Sequence, residues 1–156
     1  MLTAHILNLK SNPMYKEPLG KSMGIVAREI FPELLKAHGL VPIPLHTEEL
    51  NRRGFNQSLM LANQLSMEIG IPVIDALEKT SAKSLQGLGF QQRYSQVEGL
   101  YQAKNVDLLK GKDFVIIDDV LASGSTCSES AKMLKLAGAK SVKAFVLGKT
   151  KYSKGK

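Results

Sequence analysis

The chain has 156 residues and a mass of 17.0 kDa, which favours a single domain. Hydrophobic residues make up 44% and charged residues 22%, a globular composition that argues against a disordered or fibrous chain. A single cysteine excludes an internal disulfide and a cysteine-rich zinc site, and no apolar run approaches the roughly 20 residues of a membrane span. The first ten residues lack a basic stretch ahead of an apolar one, so we read no secretory signal and expect a soluble, cytoplasmic protein.

The net charge of +7 is unevenly distributed along the chain. Residues 1–100 carry a net charge of +1, whereas residues 101–156 carry a net charge of +6. Such asymmetry suggests an anionic partner, and nucleic acid, a membrane surface and phosphorylated small molecules all remain open. Solvated lysine is the alternative explanation, because 17 of the 21 basic residues are lysines.

The first predicted elements are a helix and a strand. Residues 22–38 place apolar groups close to helical spacing, and Pro32 is expected to kink or split this helix. Residues 40–45 are short, apolar and rich in proline, which predicts a strand that ends in a loop. Residues 20–22, Gly-Lys-Ser, resemble the end of a phosphate-binding P-loop, but Tyr15 stands where that motif needs its first glycine. We therefore interpret this stretch as the start of a helix.

The middle of the chain predicts a second helix followed by a long irregular segment. Residues 57–69 carry an apolar stripe, and Gly70 is a good helix stop. Residues 71–77 are strand-like. Residues 78–100 are polar and rich in Gln, Ser and Gly, which predicts a long loop of the kind that is often functional.

The last third predicts a strand, a helix and a second strand. Residues 114–117 form the strongest buried strand, and residues 142–147 form another. Thr126 and Glu129 fit a capping box, so a helix is expected to start near Thr126 and to end at Gly138. Because short connections join these elements, they form a βαβ unit, and we expect an α/β fold with a mostly parallel sheet flanked by helices.

The segment at residues 114–126, FVIIDDVLASGST, has the strongest chemical pattern. A buried strand delivers Asp118 and Asp119 to its C-terminal end, where open α/β sheets bind ligands. A loop of small residues leads from there into a helix N-terminus, whose amide groups and dipole suit a phosphate, and Gly124 lets the backbone approach the anion closely. The pattern predicts a ligand with hydroxyls and a phosphate, such as a ribose 5-phosphate. The predicted phosphate loop consists of Ala122, Ser123, Gly124, Ser125 and Thr126.

The two carboxylates impose a geometric condition. Neighbouring side chains of an extended strand point to opposite faces, so Asp118 and Asp119 meet one sugar only if the backbone turns there. The alternative is a strand end with solvated acids and an ordinary helix cap.

The same segment resembles the phosphoribosyl-pyrophosphate signature of the type I phosphoribosyltransferases. Within that fold the chain is most similar to the ComF/GntX branch, named for competence proteins. Residues 41–66 include RRGFNQ and resemble the VPVPL and RRGFNQ segment of the branch, while residues 84–101 and 6–30 resemble two further segments. Gln96 stands where the branch has Asn. Many members of the branch also carry an N-terminal four-cysteine zinc module, whereas Cys127 is the only cysteine in this sequence.

The resemblance implies a single phosphoribosyltransferase-like domain at residues 1–150 with a basic tail at 151–156. It implies an enzyme that binds phosphoribosyl pyrophosphate with Mg²⁺ and transfers the phosphoribosyl group to an unidentified acceptor, such as a nucleobase or an amine. The alternative is a non-catalytic protein of the DNA-uptake type that senses phosphoribosyl pyrophosphate or binds nucleic acid, with single-stranded DNA as its partner. A homodimer that completes the acceptor site is a further hypothesis.

The resemblance also assigns roles to individual residues. Asp118 and Asp119 match the acidic pair at the ribose hydroxyls, and residues 122–126 match the loop that holds the 5-phosphate. No side chain is assigned as a direct ligand of Mg²⁺, which would be held through phosphoribosyl pyrophosphate and water, with one of the two aspartates as a candidate.

Three arginines complete the implied site. Arg52, Arg53 and Gly54 lie where the family holds pyrophosphate, and Arg93, the catalytic candidate, lies in the loop expected to close over the site. For Arg52 and Arg53 the alternative is a solvated pair at a helix start. For Arg93 it is a surface position in a disordered loop.

The remaining polar candidates are interpreted as structural. His5, His38 and His46 are far apart in the sequence and lack the spacing of metal ligands. Asn56 and Gln57 are expected to be helix caps or loop anchors rather than ligands.

Overall fold

The computed structural model describes residues 13–82 and 88–149. The helices are α1 (Lys16–Glu29), α2 (Thr47–Arg53), α3 (Gln57–Ile69), α4 (Phe90–Val97) and α5 (Ser125–Leu136), with short 3-10 helices at Pro13–Tyr15, Pro32–Lys36 and Val106–Leu108. The strands are β1 (Gly39–Pro42), β2 (Leu77–Lys79), β3 (Tyr101–Ala103), β4 (Asp113–Leu121) and β5 (Ser141–Lys149). The predicted tail at 151–156 lies outside the described residues, as do parts of the segments at 6–30 and 84–101.

The first predicted helix is split at Pro32, as expected. Helix α1 ends at Glu29, and Pro32 begins a separate 3-10 helix, because a proline ring blocks the helical hydrogen bond at its own nitrogen. The predicted start at residue 22 is wrong, since α1 begins at Lys16. The Gly-Lys-Ser stretch lies inside α1, which confirms that it is not a P-loop.

Glycine allows α1 to pack closely on α3. A Cβ atom on Gly20 would lie 2.2 Å from Cγ of Gln64, and one on Gly24 would lie 2.8 Å from Cβ of Glu68. Both distances are shorter than a carbon–carbon contact permits, so the two helices approach at positions where one of them has no side chain.

Helix α3 begins and ends where the sequence predicts. Asn56 caps it, with its Oδ1 accepting a hydrogen bond from the backbone N–H of Leu59 at 3.1 Å, and Gly70 ends it at φ +75°. The strand predicted at 71–77 is reduced to one parallel bridge between Val73 and Leu40, and its last residue, Leu77, begins β2.

The prediction of an irregular segment at 78–100 is wrong in part. Residues 90–97 form α4, and β2 pairs antiparallel with β3 as a second, two-stranded sheet. Helix α4 has only eight residues, so the segment lacks the repeated apolar spacing by which a longer amphipathic helix is recognised.

The predicted βαβ unit is confirmed. Strands β4 and β5 are parallel, β1 pairs parallel with the other edge of β4, and the order of the main sheet is β1-β4-β5. The expected capping box is wrong, because α5 begins at Ser125 behind Gly124, whose φ of +81° is left-handed and which provides no side-chain cap. Glu129 instead accepts a hydrogen bond from the backbone N–H of Gly99 at 3.1 Å.

The core has one layer on each face of the main sheet. Alternate residues of β4 face opposite sides, so Val115 and Ile117 pack with α1 and α3, whereas Phe114 and Ile116 pack with α5 and the two-stranded sheet. The α/β architecture with helices on both faces of a parallel sheet is thereby confirmed. None of the described helices has the length and apolar character that a membrane crossing requires.

Candidate functional site

The candidate site lies at the C-terminal edge of the main sheet, where the N-termini of two helices meet β4. Helix α5 follows β4 directly through the loop at residues 122–124. The N-terminus of α3 is tied to the end of β1, because Nδ2 of Asn56 donates to the carbonyl oxygen of Ile43 at 3.0 Å. This bond confirms the structural role expected of Asn56. Gln57 does not act as an anchor through its amide nitrogen, since Nε2 is buried without a hydrogen-bond partner among the described residues.

Asp118 is oriented by two hydrogen bonds to one carboxylate oxygen. The hydroxyl of Ser58, in the first turn of α3, donates to Oδ1 of Asp118 at 2.9 Å, and the backbone N–H of Asp119 donates to the same oxygen at 2.9 Å. Ser58 is only 5% exposed, so water is excluded from its side of the carboxylate. The orientation of Asp118 is therefore set by α3 as well as by its own strand.

Asp119 has a different environment. Its Oδ1 accepts from the backbone N–H of Val120 at 2.8 Å, and β4 keeps its pairing with β5 as far as Leu121. Strand β4 includes both aspartates and ends at Leu121. The carboxylate of Asp118 is bonded to Ser58 of α3 and also contributes to the raised pKa values of Tyr101 and Cys127 on the α5 side, so it lies at the end of the strand within reach of both faces.

The predicted phosphate loop, residues 122–126, is shaped by its own hydroxyls and by Gly124. The hydroxyls of Ser123 and Ser125 lie 2.7 Å apart, and the backbone N–H of Ser125 donates to the hydroxyl of Ser123 at 3.2 Å. The left-handed conformation of Gly124 starts α5 without a side-chain cap. The loop thus combines hydroxyls, a glycine and the positive end of a 12-residue helix, a combination suited to an anion.

Two buried titratable groups lie behind this loop. Tyr101 is hydrogen-bonded to the side chain of Thr126, and burial, with the charge of Asp118 second, holds the pKa of Tyr101 well above its usual value. The same two causes raise the pKa of the Cys127 thiol to about 12. Both groups are neutral near pH 7, so Cys127 is a buried packing residue and not a thiolate nucleophile.

The predicted pyrophosphate residues lie at the end of α2 rather than at a helix start. Arg52 is exposed, and Gly54 ends the helix at φ +80°. Arg53 donates to Oε1 of Glu49 at 2.8 Å, while Lys79 lies 3.0 Å from the other oxygen of that carboxylate. The side chain of Lys79 is only 8% exposed, so this ion pair joins α2 to the two-stranded sheet.

Arg93 lies in α4 and not in an irregular loop. Its Nε donates to the carbonyl oxygen of Leu88 at 2.9 Å, which holds the guanidinium group against its own segment. The neighbouring Tyr94 donates its hydroxyl to the carbonyl oxygen of Ser123 at 3.2 Å. Helix α4 is therefore docked beside the phosphate loop.

The structure adds four side chains that sequence reasoning did not select. They are Ser58, Lys79, Tyr94 and Tyr101. Ser58 follows RRGFNQ directly, so its position in that motif was a usable signal. The other three lie in segments without a distinctive pattern and reach the site only through the fold.

Comparison with known proteins identifies the family. The model of the phosphoribosyl transferase domain matches residues 56–155, which includes the phosphate loop and both aspartates. Competence protein F of Haemophilus influenzae is 26% identical over 120 residues, which cover 75% of this chain and 52% of the relative. The DNA utilization protein YhgH of Escherichia coli strain K12 is 34% identical over 113 residues, and competence protein ComFC of Streptococcus pneumoniae is 30% identical over 112 residues. These matches cover 71% and 72% of this chain and 49% and 48% of the relatives, so the chain spans about half the length of each.

Solved structures agree on the fold. A crystal structure of adenine phosphoribosyltransferase superposes with a TM-score of 0.61 at 16% identity, covering 93% of this chain and 75% of that one. The glutamine phosphoribosylpyrophosphate amidotransferase from B. subtilis gives a TM-score of 0.58 at 20% identity, over 85% of this chain and 26% of the larger protein. The chain belongs to the phosphoribosyl transferase domain family, with the type I fold, in the branch of the ComF competence proteins.

Proposed function

We propose that the protein is a phosphoribosyltransferase that binds phosphoribosyl pyrophosphate at the C-terminal edge of the sheet. The observation that carries this proposal is the oriented carboxylate of Asp118 next to the loop around Gly124. The carboxylate accepts hydrogen bonds from sugar hydroxyls, and the loop offers backbone amides and hydroxyls to a phosphate. A phosphorylated ribose has both hydroxyls and a phosphate.

In this proposal each part of the donor meets a separate part of the chain. The 5-phosphate lies in the loop at residues 122–126, and the ribose lies across the end of β4 between Asp118 and Asp119. The pyrophosphate lies towards the end of α2, where Arg52 is exposed and unencumbered by an ion pair among the described residues. Arg53 forms an ion pair with Glu49, so it binds the pyrophosphate only if its bond to that carboxylate is broken.

The reaction breaks the bond between the anomeric carbon and the pyrophosphate oxygen, and the electron pair leaves with the pyrophosphate. A nitrogen of the acceptor, a nucleobase or an amine, forms the new bond to that carbon and releases its proton. No covalent bond to the protein is needed, in agreement with the neutral, buried thiol of Cys127. The protein contributes position and electrostatic stabilisation of the separated charges, and Arg93 is the candidate to contact the leaving group from α4.

The carboxylates at the end of β4 fit Mg²⁺ as this reaction would use it. The described residues contain no cluster of three or more His, Cys, Asp or Glu side chains that would hold a metal by themselves. Mg²⁺ is usually held by one or two carboxylates together with substrate phosphates and water, and Asp118 and Asp119 supply such carboxylates. Bound in this way, the ion would neutralise the negative charge of pyrophosphate.

Calorimetry with phosphoribosyl pyrophosphate and Mg²⁺ tests binding, and pyrophosphate release in the presence of nucleobases and amines tests transfer. We expect a dissociation constant in the micromolar range that weakens at least tenfold in D118A. Absence of binding at millimolar donor by the folded protein would contradict the proposal. Binding without release of pyrophosphate for any acceptor would favour a sensor of the donor instead.

A second candidate function is binding of single-stranded nucleic acid, and it rests on where the lysines lie. Six lysines surround the opposite, N-terminal edge of the main sheet, a set that we call the lysine face: Lys36, Lys110, Lys112, Lys135, Lys140 and Lys143. The loops before β4 and β5 are joined there, since the backbone N–H of Lys140 donates to the carbonyl oxygen of Lys112 at 2.8 Å. Lys36 and Lys143 line one cleft of about 220 Å³ together with two carboxylates, those of Glu33 and Asp113.

The lysine face is separated from the candidate site by the length of the strands, so the two can act independently. Among the described residues, Lys36, Lys112, Lys140 and Lys143 form no ion pair, whereas Lys104 and Lys132 are paired with Asp75 and with Glu98. The pKa of Asp113 is lowered by its hydrogen bond from Ser141 and, less, by the charges of Lys140 and Lys143, so these two lysines lie near a carboxylate without a direct ion pair. Lysines outside a direct ion pair are available to phosphates, whose binding releases counterions.

A salt titration tests this second function. For a single-stranded oligonucleotide, replacement of Lys112, Lys140 and Lys143 by Gln is expected to reduce the slope of log K against log salt by about 2. The control is K104Q/K132Q, which removes charge from paired lysines and should leave most of the slope unchanged. Equal losses in both variants, or no measurable binding by the original chain at low salt, would remove the candidate.

A further inference from the structure

We infer that Ser58 is a positioning residue of the sugar site, which sets the orientation of Asp118 and thereby the affinity for ribose hydroxyls. The inference rests on the proposed function and deepens it. Ser58 touches no proposed ligand itself, because its hydroxyl is buried and directed to the carboxylate. Its effect on the sugar is therefore exerted through Asp118.

The geometry gives Ser58 a role that the strand cannot fill alone. The backbone N–H of Asp119 binds Oδ1 of Asp118 from within β4. The hydroxyl of Ser58 reaches the same oxygen from α3, at the same distance of 2.9 Å. A donor from a second element restricts the orientations of the carboxylate further, so that part of its rotational freedom is already lost before a sugar binds.

The position of Ser58 is itself held by the fold. Asn56 caps α3 and also binds the end of β1, so the first turn of the helix is joined to the edge of the sheet two residues before Ser58. A shift of α3 relative to β4 is thus opposed close to the hydroxyl. This arrangement also connects the RRGFN turn, which holds the predicted pyrophosphate residues, to the carboxylate at the sugar.

Removal of the hydroxyl should have a selective effect on ligands. In S58A one oxygen of Asp118 loses a donor in a place that water does not reach, and the carboxylate adopts other orientations. Affinity for ribose 5-phosphate is expected to fall about tenfold, equivalent to about 1.4 kcal/mol. Affinity for inorganic phosphate, which meets only the loop at residues 122–126, should stay within about twofold of the original value.

The experiment compares the original chain with three variants and one control by calorimetry with ribose 5-phosphate and with inorganic phosphate. They are the original chain, S58A, D118A and S58A/D118A, and S130A is the matched control. Ser130 is a fully buried serine of α5 whose hydroxyl has no hydrogen-bond partner among the described residues, so its replacement removes a hydroxyl without touching Asp118. Thermal melting of each variant shows that it is folded.

Three results support the inference together. S58A weakens ribose 5-phosphate selectively, S130A leaves both ligands unaffected, and S58A causes no further loss once Asp118 is alanine. Unchanged binding of ribose 5-phosphate by S58A, or equal weakening of both ligands, would overturn it. If the original chain binds inorganic phosphate but gains nothing from the ribose, the proposed function itself fails, and that outcome is read from the unmodified protein alone.

Discussion

Gly124 offers the sharpest test of the phosphate loop, because its backbone conformation is costly for any other residue. Its φ is +81°, and a Cβ atom added there would meet the nearest atom, Cδ1 of Leu121, at an ordinary contact distance of 3.7 Å. Replacement by alanine therefore introduces backbone strain without a steric clash. For an L-residue in the left-handed region the cost is about 1–2 kcal/mol.

Gly111 provides the matched control. It has φ +70° with no atom within 4 Å of an added Cβ, and it lies before β4 at the opposite edge of the sheet. G124A and G111A should lose similar free energy of unfolding, which lowers the melting temperature by roughly 2–8 °C for a chain of this size. Only G124A moves the hydroxyls of Ser123 and Ser125 and the start of α5.

The assay pairs thermal melting with calorimetry for ribose 5-phosphate. We expect G124A to lose at least about tenfold in affinity while G111A stays within about twofold, since a displaced loop loses more than 1.4 kcal/mol of phosphate contacts. A stability of G124A equal to that of the original chain would refute the strain argument. Strain with undiminished affinity would show that the phosphate is bound elsewhere.

Three further predictions concern buried groups. Cys127 should react with iodoacetamide at pH 8 only after unfolding. Because the pKa of the thiol is raised in the folded protein, its contribution to stability is complete below about pH 9 and is lost as the pH rises towards 12, which melting at a series of pH values would show. E129Q should weaken the hydrogen bond from the N–H of Gly99 and accelerate limited proteolysis after α4, while the melting temperature of the protein stays unchanged. A cleavage rate equal to that of the original chain would contradict this. E49Q leaves the buried ammonium of Lys79 without its carboxylate and should destabilise the protein by about 1–3 kcal/mol in chemical denaturation, whereas E48Q at the exposed neighbouring position should not.

The amino-acid sequence by itself determined the local elements that have strong, short-range signals. Helix α3 was predicted between residues 57 and 69 because an apolar stripe and Gly70 act within a few residues of each other. The strand–loop–helix unit around Asp118 and Gly124 was predicted for the same reason, and its parallel partner β5 followed from the short connections. The resemblance of the same residues to a family supplied the roles that periodicity could not.

Only the tertiary structure decided which side chains meet. The bond from Ser58 to Asp118 spans 60 positions, and that from Tyr94 to Ser123 spans 29, so neither is encoded in a local pattern. The use of Glu129 was not encoded locally either, because it accepts from the N–H of Gly99, which lies 30 positions away. The distribution of charge in space was also decided by the tertiary structure. The sequence shows a net charge of +6 in the last 56 residues. The lysine face forms because parallel strands bring the loops before β4 and β5 to one edge of the sheet, opposite the carboxylates.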